Sequence, residues 1–500
     1  MTARKNKAPI SPLNPRGDCL KVTLMNASVI FKCLVGLQLA LMMAAGHASA
    51  AVVLTNRFQL RRPPGKPNII FIMADDLGYG DLGCYGQKKI STPRIDQLAA
   101  DGIRFTSCYA GSTVCAPSRC ALMTGLHTGH ARIRGNANVS LEASDLTVAE
   151  ILKKAGYRTG IFGKWGLGNE GMPGTPNKKG FDEWRGFLDQ TLAHNYYPDY
   201  IWANEEKIRL PQNENNQKGQ YVHDMFSVAA VNFIRINQYR PFFLYLAYTI
   251  PHANNEAFRA TGNGMEVPEQ RQYAGEKWPE PEKNKAAMIS RMDLHVGKIM
   301  ETLQTYGLDQ DTIVFFTSDN GPHKEGGNDP KFFESQGGLR GIKRDLYEGG
   351  IRVPMIVRWP SKIKAGTVSD FPWAFWDFLP TAADIAKVKL SEKMDGISVL
   401  PALLGNEEEQ KPHEFFYWEF HEGGSKQAVR MGDWKAVRLA PGKPVELFNL
   451  RTDLAESENV AAKNPAVVAK IDEYLKIART ESEQWPLKEP PAKKAPAAKP

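Results

Sequence analysis

Two pairs of oxygen-bearing side chains, Asp75-Asp76 and Asp319-Asn320, each follow an apolar run, Asn68 to Ala74 and Thr312 to Thr317. Runs of this length read as buried strands, and in an open α/β sheet ligands collect beyond the carboxyl ends of the strands. Three carboxylates and an amide offer only hard oxygen donors, which suits Ca²⁺, with Mg²⁺ as the alternative, and does not suit zinc. Between them in the chain, Cys115-Ala-Pro-Ser-Arg119 sets a proline two residues and an arginine four residues after a cysteine. A cysteine there is either a reactive group or, as an ordinary thiol, a small buried hydrophobe at a helix start.

These groups need a scaffold that gathers distant strand ends. Apolar runs alternate with helical-period segments, the pattern of a parallel sheet covered by helices. Strands are predicted at Asn68 to Ala74, Thr159 to Phe162, Phe242 to Tyr248, Thr312 to Thr317 and Pro354 to Trp359. Thr92-Pro93 opens a helix through Ala100, with Thr as cap and Pro at the first helical position. Thr147-Val-Ala-Glu150 is a capping box ahead of Ile151 to Gly156. Further helices are predicted at Asp224 to Asn237, Ala286 to Tyr306 and Trp376 to Lys387.

The fold class that follows is α/β, a large doubly wound mixed or parallel sheet domain over residues 66–400. Beyond Asp395-Gly-Ile-Ser-Val-Leu-Pro401 the pattern changes. Ala428 to Arg438 alternates around Gly-Asp and Val445 to Leu450 is another short strand, so residues 401–485 are expected to form a smaller C-terminal α+β subdomain with a short antiparallel sheet. Ala466 to Thr480 is its amphipathic helix. A Lys/Pro/Ala tail, 486–500, is expected to be disordered.

The chain begins with a Lys/Arg-bearing stretch, an apolar segment over 29–45 and Ala48-Ser49-Ala50, the order of a secretory signal peptide over 1–50. Lys32 interrupts the apolar segment, which argues against a stable membrane anchor. The net charge of +8 is misleading, because residues 1–50 carry +5 and residues 488–500 carry +3. The body is close to neutral, which gives no support for nucleic-acid binding. Cys19 and Cys33 leave with the signal peptide; if Cys115 is modified, at most one disulfide can form among Cys84, Cys108 and Cys120. Asn138-Val-Ser140 is the one glycosylation sequon of the mature chain. That leans toward a bacterial source and a periplasmic or secreted location.

Cys115-Ala-Pro-Ser-Arg119, continued by Leu122-Met-Thr-Gly125, resembles the signature of the type I, formylglycine-dependent sulfatases, arylsulfatase-like members of the alkaline phosphatase superfamily. The resemblance runs from about residue 66 to 460. It implies that a maturation enzyme oxidises Cys115 to formylglycine, whose hydrate attacks sulfur to give a covalent sulfate intermediate. The second hydroxyl then expels sulfate. By the same resemblance Asp75, Asp76, Asp319, Asn320 and the converted Cys115 are metal ligands, and Arg119 holds the hydrate. Lys164 in Gly163-Lys-Trp-Gly-Leu-Gly168, His252 in Pro251-His-Ala253 and Lys343 before Tyr347-Glu-Gly-Gly350 match the sulfate-binding and proton-donating groups.

One departure stands out. The family commonly has Lys-Trp-His-Leu-Gly, and this chain has Gly166 in place of that histidine. His194 and His323 are candidates to substitute or, with His421, to contact substrate; Tyr196, Tyr197, Tyr200, Trp202 and Trp418 are candidate aromatic contacts to a sugar. The function implied is hydrolysis of sulfate esters, on a sulfated carbohydrate or an aryl sulfate. The alternatives are a phosphodiesterase or phosphonate monoester hydrolase of the same superfamily, and a non-catalytic carbohydrate-binding relative.

Overall fold

The computed structural model describes residues 65–491. The expected signal peptide and residues 492–500 lie outside them. Among the described residues no helix is long and apolar enough to cross a membrane.

The large sheet is built from β1 (Asn68–Ala74), β2 (Ile103–Tyr109), β3 (Arg158–Lys164), β4 (Glu183–Phe187), β5 (Tyr200–Ala203), β6 (Glu206–Arg209), β7 (Phe242–Ala247), β8 (Thr312–Ser318), β9 (Arg352–Arg358), β10 (Thr367–Ser369) and β11 (Trp373–Ala374). Its order is β10-β2-β9-β8-β1-β7-β3-β4-β5-β6, with β11 beside β2. The centre, β8-β1-β7-β3-β4, is parallel. Antiparallel β9 and β5 close it on either side, so the sheet is mixed.

Burial on both faces explains why the central strands are apolar throughout. Side chains alternate across a strand, and β1 divides accordingly. Ile69, Phe71 and Met73 enter one core; Ile70 and Ile72 enter the other. Helices α1 (Pro93–Ala100), α4 (Val222–Ile236) and α5 (Glu280–Thr305) cover the second face, and α2 (Cys115–Thr124), α3 (Val148–Lys154) and α6 (Phe378–Ile385) the first. The predicted capping box forms: Thr147 accepts from the Glu150 N–H and Glu150 accepts from the Thr147 N–H.

α5 starts at Glu280, ahead of the predicted Ala286. Its first turn is charged and contains Pro281, which a helix tolerates where no N–H is needed. β6 was not predicted, and all four of its residues are exposed, so no apolar alternation marks it.

A second sheet, β12 (Phe416–Phe420), β13 (Lys426–Met431), β14 (Trp434–Arg438) and β15 (Glu446–Asn449), is antiparallel and runs in chain order. One face packs Phe416, Trp418 and Phe448 against Tyr109, Ala121 and Trp376 of the large domain. Helix α7 (Pro465–Ile477) covers the other face through Ile471, Tyr474 and Leu475. The segment after residue 485 was expected to be disordered, but its beginning is held. The Ser425 N–H donates to Lys488 O at 2.8 Å, and the Lys488 N–H donates to Ser425 Oγ at 2.9 Å.

Trp418 is fully buried in the seam between the sheets, and its Nε1–H donates to Ala110 O at 2.9 Å. Its role is packing, so it leaves the set of sugar contacts. Trp418→Ala should cost about 3–5 kcal/mol of folding stability, measured by denaturant unfolding. A loss below about 1 kcal/mol would mean that the seam is held without it.

Candidate active site

Four adjacent strands deliver the polar residues to one edge of the sheet. Asp319 and Asn320 follow β8, Asp75 and Asp76 follow β1, His252 lies on the loop after β7, and Lys164 ends β3. Cys115 is the first residue of α2, and Arg119 follows one turn later on the same face. Lys343 arrives on the loop between β8 and β9.

The charges interlock. Arg119 Nη2 lies 2.8 Å from Asp319 Oδ2 and 3.1 Å from Asp75 Oδ2, while its Nη1 donates to Lys164 O at 3.0 Å. Lys164 Nζ is 2.7 Å from Asp75 Oδ2. Lys343 Nζ is 2.8 Å from Asp76 Oδ2 and 3.1 Å from His252 Nε2. Asn320 Nδ2 donates to Asp76 Oδ1 at 2.7 Å. The side chains of Asp75, Asp76, Asp319, Arg119, Lys164 and Lys343 are at most 2 % exposed. Charges so buried persist only when paired and hydrogen-bonded. Asp76 itself sits at φ 65, a left-handed conformation that Asp tolerates better than most residues.

Two oxygens of this set are left over. Asp75 Oδ1 and Asn320 Oδ1 are buried with no hydrogen-bond partner. Oxygens of Asp75, Asp76 and Asp319 lie within 4.8 Å of one another. Burial, and next the Asp75 charge, push the Asp319 carboxyl up to about 7. Unpaired acceptors and crowded carboxylates are what a hard cation relieves, so the donor set fits Ca²⁺ or Mg²⁺.

Burial opposes charge on both lysines. Burial is the largest single influence, but the surrounding acidic groups together outweigh it, led by Asp75 for Lys164 and by Asp76 for Lys343, so both ammonium groups are held above the ordinary lysine range. Cys115 is 2 % exposed, with Sγ within 4.8 Å of ligand atoms of Asp75 and His252. Burial pushes its thiol up to about 11. His252 Nδ1 donates to Ala253 O at 2.7 Å, which leaves Nε2 to face Lys343 and Asp76. Burial and then Lys343 hold this imidazole well below its usual range.

A sequence model described as Sulfatase matches residues 67–388, and one described as N-sulphoglucosamine sulphohydrolase, C-terminal, matches residues 341–481. The chain is 31% identical to an N-acetylgalactosamine-6-O-sulfatase of Bacteroides thetaiotaomicron over 83% of its own length and 93% of the relative's. It belongs to the sulfatase family. The N-acetylgalactosamine-6-sulfatase of Rattus norvegicus is 32% identical, covering 80% of this chain and 76% of that one. A crystal structure of Ps i-CgsB in complex with k-i-k-neocarrahexaose matches with a TM-score of 0.73 at 32% identity, over 85% of this chain and 95% of that chain. The chain is therefore a sulfuric ester hydrolase of the alkaline phosphatase superfamily.

Around this cluster the remaining sequence candidates divide. His194 stacks on His252 with ring centroids 4.3 Å apart, and its Nδ1 is buried without a hydrogen bond. Burial, and next Lys164, lower its imidazole to about 4. His323 lies behind His252, with Nε2 donating to Pro251 O and Nδ1 accepting from the Glu325 N–H, so both ring nitrogens serve the loop. The His421 nitrogens meet Glu419 and Ser425, within the small sheet. Tyr196 is a strut whose hydroxyl reaches Thr249 O and His252 O. Trp202 stacks on Trp184, and Tyr197 packs on Tyr221. Lys207 lies over the Tyr200 and Trp202 rings.

Sequence reasoning missed Glu325. Its carboxylate groups with Asp76 and His252 within 4.8 Å and lies 3.9 Å from Lys343 Nζ. The available signal was a carboxylate on the same strand-end loop as Asp319-Asn320.

Ca²⁺ titrated into chelator-stripped protein should bind at one site per chain and raise the melting temperature, by about 2.7 kcal/mol of added stability at a hundredfold excess over Kd. Asp319→Ala should abolish the shift. An unchanged melting temperature at millimolar Ca²⁺ and Mg²⁺ would contradict the donor set.

Proposed function

We propose that the chain is an exported enzyme that removes sulfate from a sulfated carbohydrate, with Cys115 converted to formylglycine by a maturation enzyme. One Ca²⁺ would be held by Asp75, Asp76, Asp319 and Asn320, together with the converted Cys115. The observation that carries this reading is the placement of Cys115, buried at the edge of the six-charge cluster with His252 and Asp75 around it. A thiol whose ionisation is pushed up to about 11 is a weak nucleophile at neutral pH. The aldehyde hydrate would supply a hydroxyl in its place, and Ca²⁺, when bound, would supply positive charge to the site.

The protein's own groups account for the rest. Each ammonium has three donors. Lys164 spends one on Asp75, and Lys343 spends donors on Asp76 and His252, leaving others to grip the sulfate oxygens. Arg119, one turn from Cys115 on the same helix and buried, is the cation placed to hold an oxygen of the nucleophile. Preorganised donors in a site closed to water stabilise charge as it develops. His252 Nε2 accepts from Lys343 at 3.1 Å as the site stands; protonated once a bound sulfate ester adds its negative charge beside it, it is the ring atom able to pass a proton to the departing sugar oxygen.

Export rests on the charged and then apolar N-terminal segment ending in Ala48-Ser49-Ala50. The substrate class rests on relatives named for N-acetylgalactosamine 6-sulfate and on a structural neighbour bound to a carbohydrate. That hexosamine sulfate is the first ester to try.

The test uses protein made with the maturation enzyme, with conversion at Cys115 checked by mass spectrometry. Wild type should release sulfate from sulfated sugars and act far less well on the matching phosphate esters. His252→Ala should lose about 10²- to 10⁴-fold on the sugar ester, the range of general acid catalysis. It should lose much less on nitrophenyl sulfate, whose leaving group needs little protonation. Equal losses on both esters would remove His252 as the proton donor.

A further inference from the structure

Gly166 lies two residues past Lys164 at φ +75, and a Cβ built on it would stand 2.4 Å from Gln190 Nε2. The two segments run side by side: the Trp165 N–H donates to Phe187 O at 2.9 Å, and the Gly166 N–H to Leu188 O at 3.0 Å. The volume beside Gly166 is therefore taken by the Gln190 amide, which comes in from the loop after β4. No side chain at 166, imidazole included, fits while Gln190 stands there.

Gln190 Nε2 and Oε1 are both buried, and neither has a hydrogen-bond partner among the described residues. Leaving a buried donor or acceptor unpaired costs about 1–3 kcal/mol, and native proteins leave few such groups. The amide packed against Gly166, two residues past Lys164, therefore has a free donor and a free acceptor to offer a ligand. The ligand has to bring an acceptor for Nε2 and a donor for Oε1. A sulfate ester held beside a hydroxyl nucleophile brings both.

We infer that Gln190 fills the place left by the histidine absent at Gly166 and hydrogen-bonds the reacting sulfate ester, with Nε2 donating to a sulfate oxygen. Oε1 accepts from the hydroxyl next to it on the converted Cys115. This rests on the sulfatase reading above. It also changes the chemistry, because a carboxamide does not titrate near neutral pH and an imidazole does. Gln190 orients and stabilises but takes no proton, so its contribution is independent of pH.

The experiment compares converted wild type with Gln190→Ala, Gln190→Glu, Gln190→Gly and the double variant Gln190→Gly/Gly166→His. It reads kcat, KM and their pH profiles on a sulfated sugar. Binding of inorganic sulfate to the unconverted proteins is measured by calorimetry as a readout independent of turnover. Gln190→Ala should lower kcat about 10²-fold, as for loss of one preorganised donor, with a smaller effect on KM. Gln190→Glu, equal in size, should lose more and bind sulfate more weakly, because it sets a carboxylate against the anion. The double variant should recover about tenfold of the loss seen in Gln190→Gly and add an ionisation between about pH 5 and 8 that wild type lacks.

If wild type is active and Gln190→Ala and Gln190→Glu both keep kcat, KM and sulfate affinity within about twofold, the inference is overturned while the sulfatase reading stands. If converted wild type releases sulfate from no ester, the reading falls and the inference with it.

Discussion

Six charged side chains, three carboxylates and three cations, are buried together at the carboxyl edge of the central strands. Asp75, Asp76 and Asp319 face Arg119, Lys164 and Lys343 at 2.7 to 3.1 Å. Isolated burial of any of them would be prohibitive, so each holds the others in place. Removing one partner strands another charge, at about 3–5 kcal/mol for a buried pair. The set is balanced as it stands, yet two of its oxygens remain unpaired. A divalent cation on those oxygens would leave the site positive, which is the field that a sulfate monoester requires.

The sheet makes this arrangement possible because parallel neighbours present the same end. β8, β1, β7 and β3 are adjacent and parallel, so residues far apart in the chain emerge side by side. The close approach is built in at Gly163, where a Cβ would lie 1.9 Å from Ala247 O. The small sheet also bears on the site. The Glu348 N–H donates to Glu456 Oε2 at 2.7 Å, and Lys435 Nζ, on β14, lies 2.9 Å from Glu348 Oε1. Those buried contacts anchor the end of the loop that carries Lys343. The Lys343 N–H is itself tied to Pro322 O, and the Arg344 N–H to Thr113 O.

That Asp75, Asp76, Asp319 and Asn320 come together was legible because each pair ends an apolar run, and neighbouring strand ends in an α/β sheet emerge side by side. The same physics made β1, β7 and β8 readable. What could not be read depends on packing between segments. Trp418 and Tyr196 look like sugar-binding aromatics in sequence, but Trp418 closes the seam and Tyr196 supports the His252 loop. Gln190 has no motif around it, and its significance appears only when its loop meets Gly166. β6 escaped because both of its faces are wet.

The most direct measurement is a crystal structure of the protein soaked with Ca²⁺ and inorganic sulfate. The buried charge balance predicts one cation bonded to Asp75 Oδ1 and Asn320 Oδ1, at about 2.3–2.6 Å, and sulfate between Lys164 and Lys343 beside residue 115. A cation bound elsewhere, or a sulfate that avoids both lysines, would contradict it.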